Sequence, residues 1–394
     1  MKIKLAEFRV LAASVALAIG AVAPVHAQDC KVSIGAVGPL SGGASAWGLA
    51  AKDGAEFIAT LVNSEGGLQV GNAKCTVNVV SFDSQYTAAG GAAGANFLAS
   101  ENVHATVGPV GSPETTGFRP VAARSGIVNF SSSYMRDVIS STFPYAFHAL
   151  QAPITWGPLL IKAAHDQFGF KSVIIIAPND QGGTDSGEQL KKMYEGVGVQ
   201  TSLEYFQRGT SNFAAIATRV MSANPDAIEM SSVPPGDAAI LVKQLLEAGY
   251  EGVLGSLGGT GLKPIEDGAG GVENLKNVYW LETSPVDAPG IVKMRQDYTK
   301  AMGKEAPSNP LFPVYAMAAE VILQGISAAG TDQDGEKIAE ALRKLTPESR
   351  YMGKAGWRGT SLYGINQELT FPPGLGMIIG GQKKPTTVVE IAAE

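Results

Sequence analysis

Lys171-Ser172-Val173-Ile174-Ile175-Ile176-Ala177-Pro178 is apolar from Val173 to Ala177 without a polar break. A strand with one solvated face alternates apolar and polar side chains. An unbroken β-branched run instead marks a strand covered on both faces, as in a parallel sheet between layers of helix. The flanking sequence agrees. Downstream, the pattern predicts helix 187–195, strand 201–206, helix 212–223, strand 226–230, helix 237–248 and strand 252–256. Ser211 and Pro235 suit the starts of two of these helices. Upstream it predicts strand 32–37, helix 46–63, strand 76–82, helix 88–100, strand 105–108, helix 113–124 and strand 127–130. Ala51, Ala55, Ile58, Ala59 and Val62 recur at helical spacing in the first helix, and Gly66-Gly67 stops it. Strand–helix alternation of this kind is the signature of an α/β protein with parallel sheets flanked by helices. Two successive runs of it, broken near 145–153, predict two similar lobes.

Composition excludes several chemistries. The chain has 394 residues, which suggests two domains or one large one. Its formal net charge of -6 argues against a nucleic-acid partner, which calls for a basic face. Two Cys and four His cannot build a cysteine-rich zinc framework, a disulfide-dense miniprotein or an iron–sulfur protein. At the N-terminus, Lys2, Lys4 and Arg9 precede an apolar run, 10–23, too short to span a bilayer. Val25 and Ala27 are small residues at the positions a signal peptidase reads, so residues 1–27 are expected to be a signal peptide cleaved after Ala27. A lipoprotein signal does not fit, because Asp29 precedes Cys30. No other segment offers eighteen uninterrupted apolar residues, and an exported, periplasmic chain is expected. Export permits a disulfide. Cys30 and Cys75 each open a predicted strand, and if those strands are parallel neighbours both thiols lie at one end. A Cys30–Cys75 disulfide is expected, two buried thiols being the alternative.

Ligands of such sheets bind beyond the carboxyl ends of the strands, which directs attention to the loops there. Gly38-Pro39-Leu40-Ser41-Gly42 follows the first strand, with Trp47 at the start of the next helix. Gly108-Pro109-Val110-Gly111-Ser112-Pro113-Glu114-Thr115 follows the third, where Ser112 suits an N-cap and Pro113 the first helical position. A helix N-terminus can hold a carboxylate, although simple capping accounts for the same residues. Ser131-Ser132-Ser133-Tyr134 follows the fourth strand and offers three hydroxyls.

Residues 32–43, Gly66-Gly67, 108–116 and 127–133 together resemble the periplasmic substrate-binding proteins of ABC transporters, specifically the type I, leucine/isoleucine/valine-binding family. The likeness continues through Asn179-Asp180, Asn224-Pro225-Asp226 and 246–249. It implies two Rossmann-like lobes joined by three crossovers, near 145–151, 280–284 and 353–357, that close on a ligand like a Venus flytrap. Lobe one would take 28–147 and 283–354, and lobe two 148–282 and 355–394. It further implies a monomer without cofactor or metal that delivers a small molecule to a permease in the inner membrane. Trp357-Arg358 and Ile365-Asn366-Gln367 echo a motif of the family's tail, with Asn366 in place of a His, and 375–379 and 387–391 read as closing strands.

In the amino-acid-binding members a loop Ser, a Ser/Ala and a Thr hold the ligand. The resemblance puts Ser112 and Ser133 on the first two positions and Met135 on the third. Two lobe-two Tyr positions fall on Gly182, within Asp180-Gln181-Gly182-Gly183, and on Val233. The carboxylate that pairs with the ligand ammonium falls on Leu257, and Trp47 stands where the family has a Tyr. The candidate ligand-binding residues are therefore Trp47, Ser112, Ser133, Tyr134, Gln181, Gly182, Val233 and Leu257. A buried ammonium without a counter-charge costs several kcal/mol. The expected ligand is accordingly a small carboxylate: a hydrophobic or branched-chain amino acid by the resemblance, with an amine-free aromatic or aliphatic acid as the alternative that these substitutions favour.

Enzymatic signatures are missing. Leu254-Gly255-Ser256-Leu257-Gly258 is no nucleophile elbow, and Gly303-Lys304-Glu305 is no P-loop. The glycines between 374 and 380 do not have dinucleotide spacing, and His104, His148 and His165 lie far apart. Asp332 and Asp334, like Asp180 and Asp185, read as capping residues. A non-catalytic binding protein is expected; a ligand sensor for a receptor, or an enzyme on the same fold, are the alternatives.

Overall fold

The computed structural model describes residues 30–394, so the expected signal peptide and its cleavage site lie outside the described residues. In the first half, β1 (Lys31–Gly38), α1 (Ser45–Ser64), β2 (Leu68–Val70), β3 (Ala73–Asp83) and α2 (Ala88–Ser100) follow in order. Then come β4 (Ala105–Val107), α3 (Ser112–Ser125), β5 (Val128–Ser131) and β6 (Ala146–His148). The second run comprises α4 (Pro153–Phe168), β7 (Ser172–Pro178), α5 (Gln181–Gly196), β8 (Gln200–Phe206) and α6 (Ala214–Ala223). It continues with β9 (Ala227–Met230), α7 (Pro235–Glu247), β10 (Val253–Ser256), α8 (Lys263–Ala269) and β11 (Val278–Glu282). Helices α9 (Pro289–Met302), α10 (Leu311–Ala329) and α11 (Gly335–Lys344) lead to a hairpin, β12 (Glu348–Ser349) and β13 (Gly353–Lys354). The chain ends with β14 (Trp357–Arg358), α12 (Thr360–Tyr363), β15 (Glu368–Leu369), β16 (Gly374–Ile379) and β17 (Gln382–Val388).

Two main sheets result, one per lobe. The first has the order β14-β15-β6-β5-β4-β1-β3-β2, the second β17-β16-β11-β10-β9-β7-β8. Pairing is parallel through the centre of each and antiparallel at β2, β14, β16 and β17. Strand β7 lies between β8 and β9, and Val173 to Pro178 are buried, which is why that run carries no alternation. In β1–β3, Lys31 pairs with Thr76, and the residues just before them, Cys30 ahead of β1 and Cys75 within β3, form a disulfide.

Helix α10 has the length and apolarity of a membrane span, yet it is the core helix of lobe one, buried from Leu311 to Leu323. It packs against α1 at close range: a Cβ on Gly54 would fall 2.7 Å from the Ala316 nitrogen. Helices α9, α10 and α11 lie where the strand–helix alternation of the sequence stops.

Five expectations need correction. The third passage between sheets lies between β15 and β16, not near 353–357, so residues 355–369 go with the first sheet. Helix α5 starts at Gln181, six residues before 187. Asp180 caps it by accepting from the Gly183 nitrogen at 3.0 Å, and Gly183 is required because a Cβ there would meet the Pro178 carbonyl oxygen. Helix α3 is capped from Gly111, with Ser112 its first residue, and α6 from Phe213 rather than Ser211. The last strand ends at Val388, short of 391.

Candidate functional site

The loops after β1, β3, β4 and β5 of lobe one meet those after β9 and β10 of lobe two around one small cavity. Lobe one contributes Trp47, Tyr86, Val110, Gly111, Ser112, Ser132, Ser133, Tyr134 and Leu311; lobe two contributes Ser232, Gly258 and Gly259. The space within it is about 30 Å³, room for one or two waters. The two lobes are thus in contact around it.

A hydrogen-bonded lattice sets the floor of the cavity. Ser133 Oγ donates to Ser112 Oγ at 2.9 Å and accepts from the Met135 nitrogen. Ser131 Oγ accepts from the Ser133 nitrogen at 3.0 Å and meets Thr115 Oγ1 at 3.0 Å. Ser132 Oγ reaches the Val110 carbonyl and Tyr315 OH, the latter at 2.6 Å. The Ser133 carbonyl accepts from His148 Nε2 at 2.9 Å, and His148 Nδ1 is 2.7 Å from Glu368. Three consecutive serines on a strand end are therefore fixed by partners rather than free to rotate.

Glu114 underlies this lattice. It is fully buried, accepts from the Gly111 nitrogen and binds the Ser84 hydroxyl. Burial pushes its carboxyl up to about 7, against the pull of those hydrogen bonds and of Arg208. In lobe two, Glu229 has a parallel role. Its Oε1 accepts from the Leu257 nitrogen at 2.6 Å, Tyr194 OH donates to its Oε2 at 2.8 Å, and burial again raises the carboxyl to about 7. Both carboxyls hold cavity loops from behind, and neither lines the cavity.

Trp47, Ser112, Ser133 and Tyr134 are brought together on the cavity wall. Trp47 Nε1 also donates across the cleft to the Gly259 carbonyl at 3.1 Å. Gly182 abuts the site, since a Cβ there would lie 3.3 Å from Ser112 Oγ. Gln181 does not face the cavity; its Oε1 accepts from Thr116 Oγ1 at 2.6 Å and ties α5 to α3 across the cleft. Val233 and Leu257 are fully buried in the hydrophobic interior, and their neighbours Ser232, Gly258 and Gly259 take the cavity positions. In tight loops a displacement of one residue exchanges cavity for core. Gly258 has no room for a side chain, because a Cβ would come within 2.2 Å of the Ser232 nitrogen.

Tyr86, Val110, Gly111, Ser132 and Leu311 complete the lobe-one wall. Tyr86 was discoverable as a strand-end loop residue, following β3; Leu311 enters from a helix far along the chain and left no sequence signal. Among the described residues no cluster of three or more His, Cys, Asp or Glu could hold a metal ion.

Residues 31–365 match the family model described as periplasmic binding protein. The leucine-, isoleucine-, valine-, threonine- and alanine-binding protein of Pseudomonas aeruginosa is 23% identical over 336 residues, which cover 85% of this chain and 88% of that one. The crystal structure of a leucine-binding protein from Thermotoga maritima superposes with a TM-score of 0.75 at 21% identity, covering 91% of this chain and 99% of that one. An ABC-transporter solute-binding protein from R. palustris, solved with 4-hydroxybenzoate, superposes with a TM-score of 0.74 at 19% identity, covering 92% and 97%. On the match over residues 31–365 and the shared two-sheet architecture, the chain belongs to the periplasmic binding protein family, with the type I fold of its leucine/isoleucine/valine-binding members.

Proposed function

We propose that this protein is a non-catalytic periplasmic receptor, processed after Ala27, that captures a small amine-free carboxylic acid and delivers it as a monomer to an ABC importer's permease. The reading rests chiefly on the wall of the cavity: none of the described residues lining it is charged. A zwitterionic amino acid enclosed there would leave its ammonium without a counter-charge, at several kcal/mol. A carboxylate meets better partners, the Ser112 and Ser133 hydroxyls, at the start of α3, where the helix dipole favours an anion. Trp47, Tyr86, Tyr134, Val110 and Leu311 offer an aromatic and apolar surround for the remainder of the ligand. The 4-hydroxybenzoate carried by the R. palustris structure is a ligand of the class this wall suits.

Calorimetric titration of residues 28–394 with benzoate, 4-hydroxybenzoate and leucine tests the assignment. One of the aromatic acids is expected to bind at least about 100-fold more tightly than leucine, the ratio that roughly 3 kcal/mol of uncompensated charge burial implies. Tight leucine binding with no affinity for either acid would refute the ligand class. If Ser112→Ala and Ser133→Ala both leave the affinity unchanged, the carboxylate grip is misplaced.

A further inference from the structure

Arg208 follows β8 in lobe two, and Tyr86 follows β3 in lobe one. The guanidinium carbon of Arg208 lies 4.3 Å from the centroid of the Tyr86 ring. Its Nε donates to Asp180 Oδ2 at 2.6 Å, and Asp180 is the N-cap of α5, the helix that carries Gln181 and Gly182 to the cleft. Nη1 and Nη2 are buried and have no hydrogen-bond partner. A guanidinium has five donors and is seldom enclosed with two nitrogens idle. Besides Asp180 and the charges of the nearby Asp237 and Glu114, what holds it here is the face of an aromatic ring, to which a planar, weakly hydrated cation is well suited.

The ring is itself held firmly. Gln85 and Tyr86 have φ of 53° and 56°, a left-handed conformation that residues other than glycine adopt at a cost. Asp83 secures the turn by accepting from the Leu40 and Gln85 nitrogens at 2.8 and 2.9 Å. Tyr86 also contacts Trp47, at 5.7 Å between centroids, and presses on Gly111, where a Cβ would fall 2.3 Å from the ring. The Tyr86 side chain thus touches the cavity wall on one side and a cation from the opposite lobe on another.

We propose that Arg208 and Tyr86 form a latch across the cleft that sets the balance between open and closed forms. Arg208 is a positioning residue: it acts on ligand affinity through closure, without contacting the ligand. Parting the lobes separates the cation from the ring, so the contact favours the closed state alone, which is the condition for shifting such an equilibrium. The proposal rests on the moving-lobe part of the functional reading and is independent of which acid is bound.

The test uses residues 28–394 without ligand. Both native cysteines are joined in the Cys30–Cys75 disulfide, so cysteines introduced as Arg136→Cys and Asp185→Cys are the free thiols. Arg136 and Asp185 form an ion pair across the cleft at 3.4 Å, and a short bismaleimide joins the new thiols only while the lobes are together. In this background Arg208→Met and Tyr86→Leu are each expected to slow cross-linking by about 3- to 30-fold, the range for a cation–aromatic contact from partly exposed to desolvated. Combined, they should slow it no more than either alone. Tyr86→Phe, which keeps the ring, should retain the parent rate, and Arg208→Lys should fall between. Arg208→Met cross-linking at the parent rate, or effects that add in the double variant, would overturn the latch. Cooperative thermal unfolding of each variant separates loss of the latch from loss of the fold. A wrong ligand class registers only in the titrations, so the two failures are distinguishable.

Discussion

Glu114 illustrates how a single buried group connects stability to the site. Its carboxyl is raised from 4.5 to about 7 because burial outweighs its hydrogen bonds and the nearby Arg208 charge. A folded-state value above the unfolded one means that the native protein holds the proton more tightly. The associated stability is complete below pH ~4.5 and is lost as pH rises through about 7. The melting temperature of the free protein should therefore fall between pH 5 and 8. Glu114→Gln keeps an acceptor for the Gly111 nitrogen and an N–H for Ser84, and it should flatten part of that slope. Glu229, also raised to about 7, retains the remainder. Calorimetric scans at half-unit pH steps would check this, and an unchanged slope in Glu114→Gln would assign the pH dependence elsewhere. At this scale the strand-end loops were legible, and Ser112 and Ser133, singled out through the family resemblance, do line the cavity. The sequence was not legible at Val233 and Leu257, because the choice between cavity and core within a loop depends on what packs behind it, here Thr260 on the Val233 carbonyl and Glu229 on the Leu257 nitrogen.

The helices flanking the site owe their spacing to glycine. A Cβ on Gly91 of α2 would lie 2.0 Å from the Glu114 carbonyl oxygen of α3, and one on Gly117 of α3 would lie 1.9 Å from that of Ala88. These two helices meet backbone to backbone, and α3 carries Ser112. Gly91→Ala should consequently cost about 1–3 kcal/mol through overpacking, measured by urea unfolding, and weaken ligand binding as α3 shifts. Gly196, on α5, has open space around its Cβ position. Gly196→Ala should instead be neutral or stabilising by up to about 1 kcal/mol, from helix propensity alone. Were both substitutions to have the same effect, close approach would not be the reason for Gly91. Element type was readable because periodicity is local, and the β1–β3 pairing expected from the cysteines is present. Helix starts were less readable. Glycine lowers apparent helix propensity in the first turns of α5, while tertiary contact with Pro178 demands it.

At the level of the two lobes, individual hydrogen bonds and ion pairs cross the cleft. Trp47 Nε1 to the Gly259 carbonyl is one; others are Thr116 to Gln181, Arg136 to Asp185 and the Gly236 nitrogen to the Gly43 carbonyl at 3.2 Å. Gln151, in the first passage between lobes, donates to the Leu369 and Phe371 carbonyls in the third, tying two of the connecting strands together. Trp47→Phe keeps an aromatic ring in the wall and removes only the cross-cleft donor. The dissociation constant of whichever acid binds should rise about 3- to 10-fold, the worth of one net hydrogen bond. The melting temperature of the free protein should move by no more than about 2 °C. A fall in stability without a change in affinity would place the bond's role in lobe one rather than in closure.

The α/β class, the division into two runs, the cysteine pair and the strand-end loops all follow from residue order, because strand and helix periodicities and turn chemistry operate over a few positions. Three features depended on the folded chain. The last crossover falls after Leu369, Ser232 and Gly258-Gly259 face the cleft instead of Val233 and Leu257, and Arg208 reaches Tyr86 from the other lobe. Each is a contact between segments far apart in sequence, settled by competition for space and hydrogen-bond partners in the packed interior, and no local pattern records the outcome of that competition.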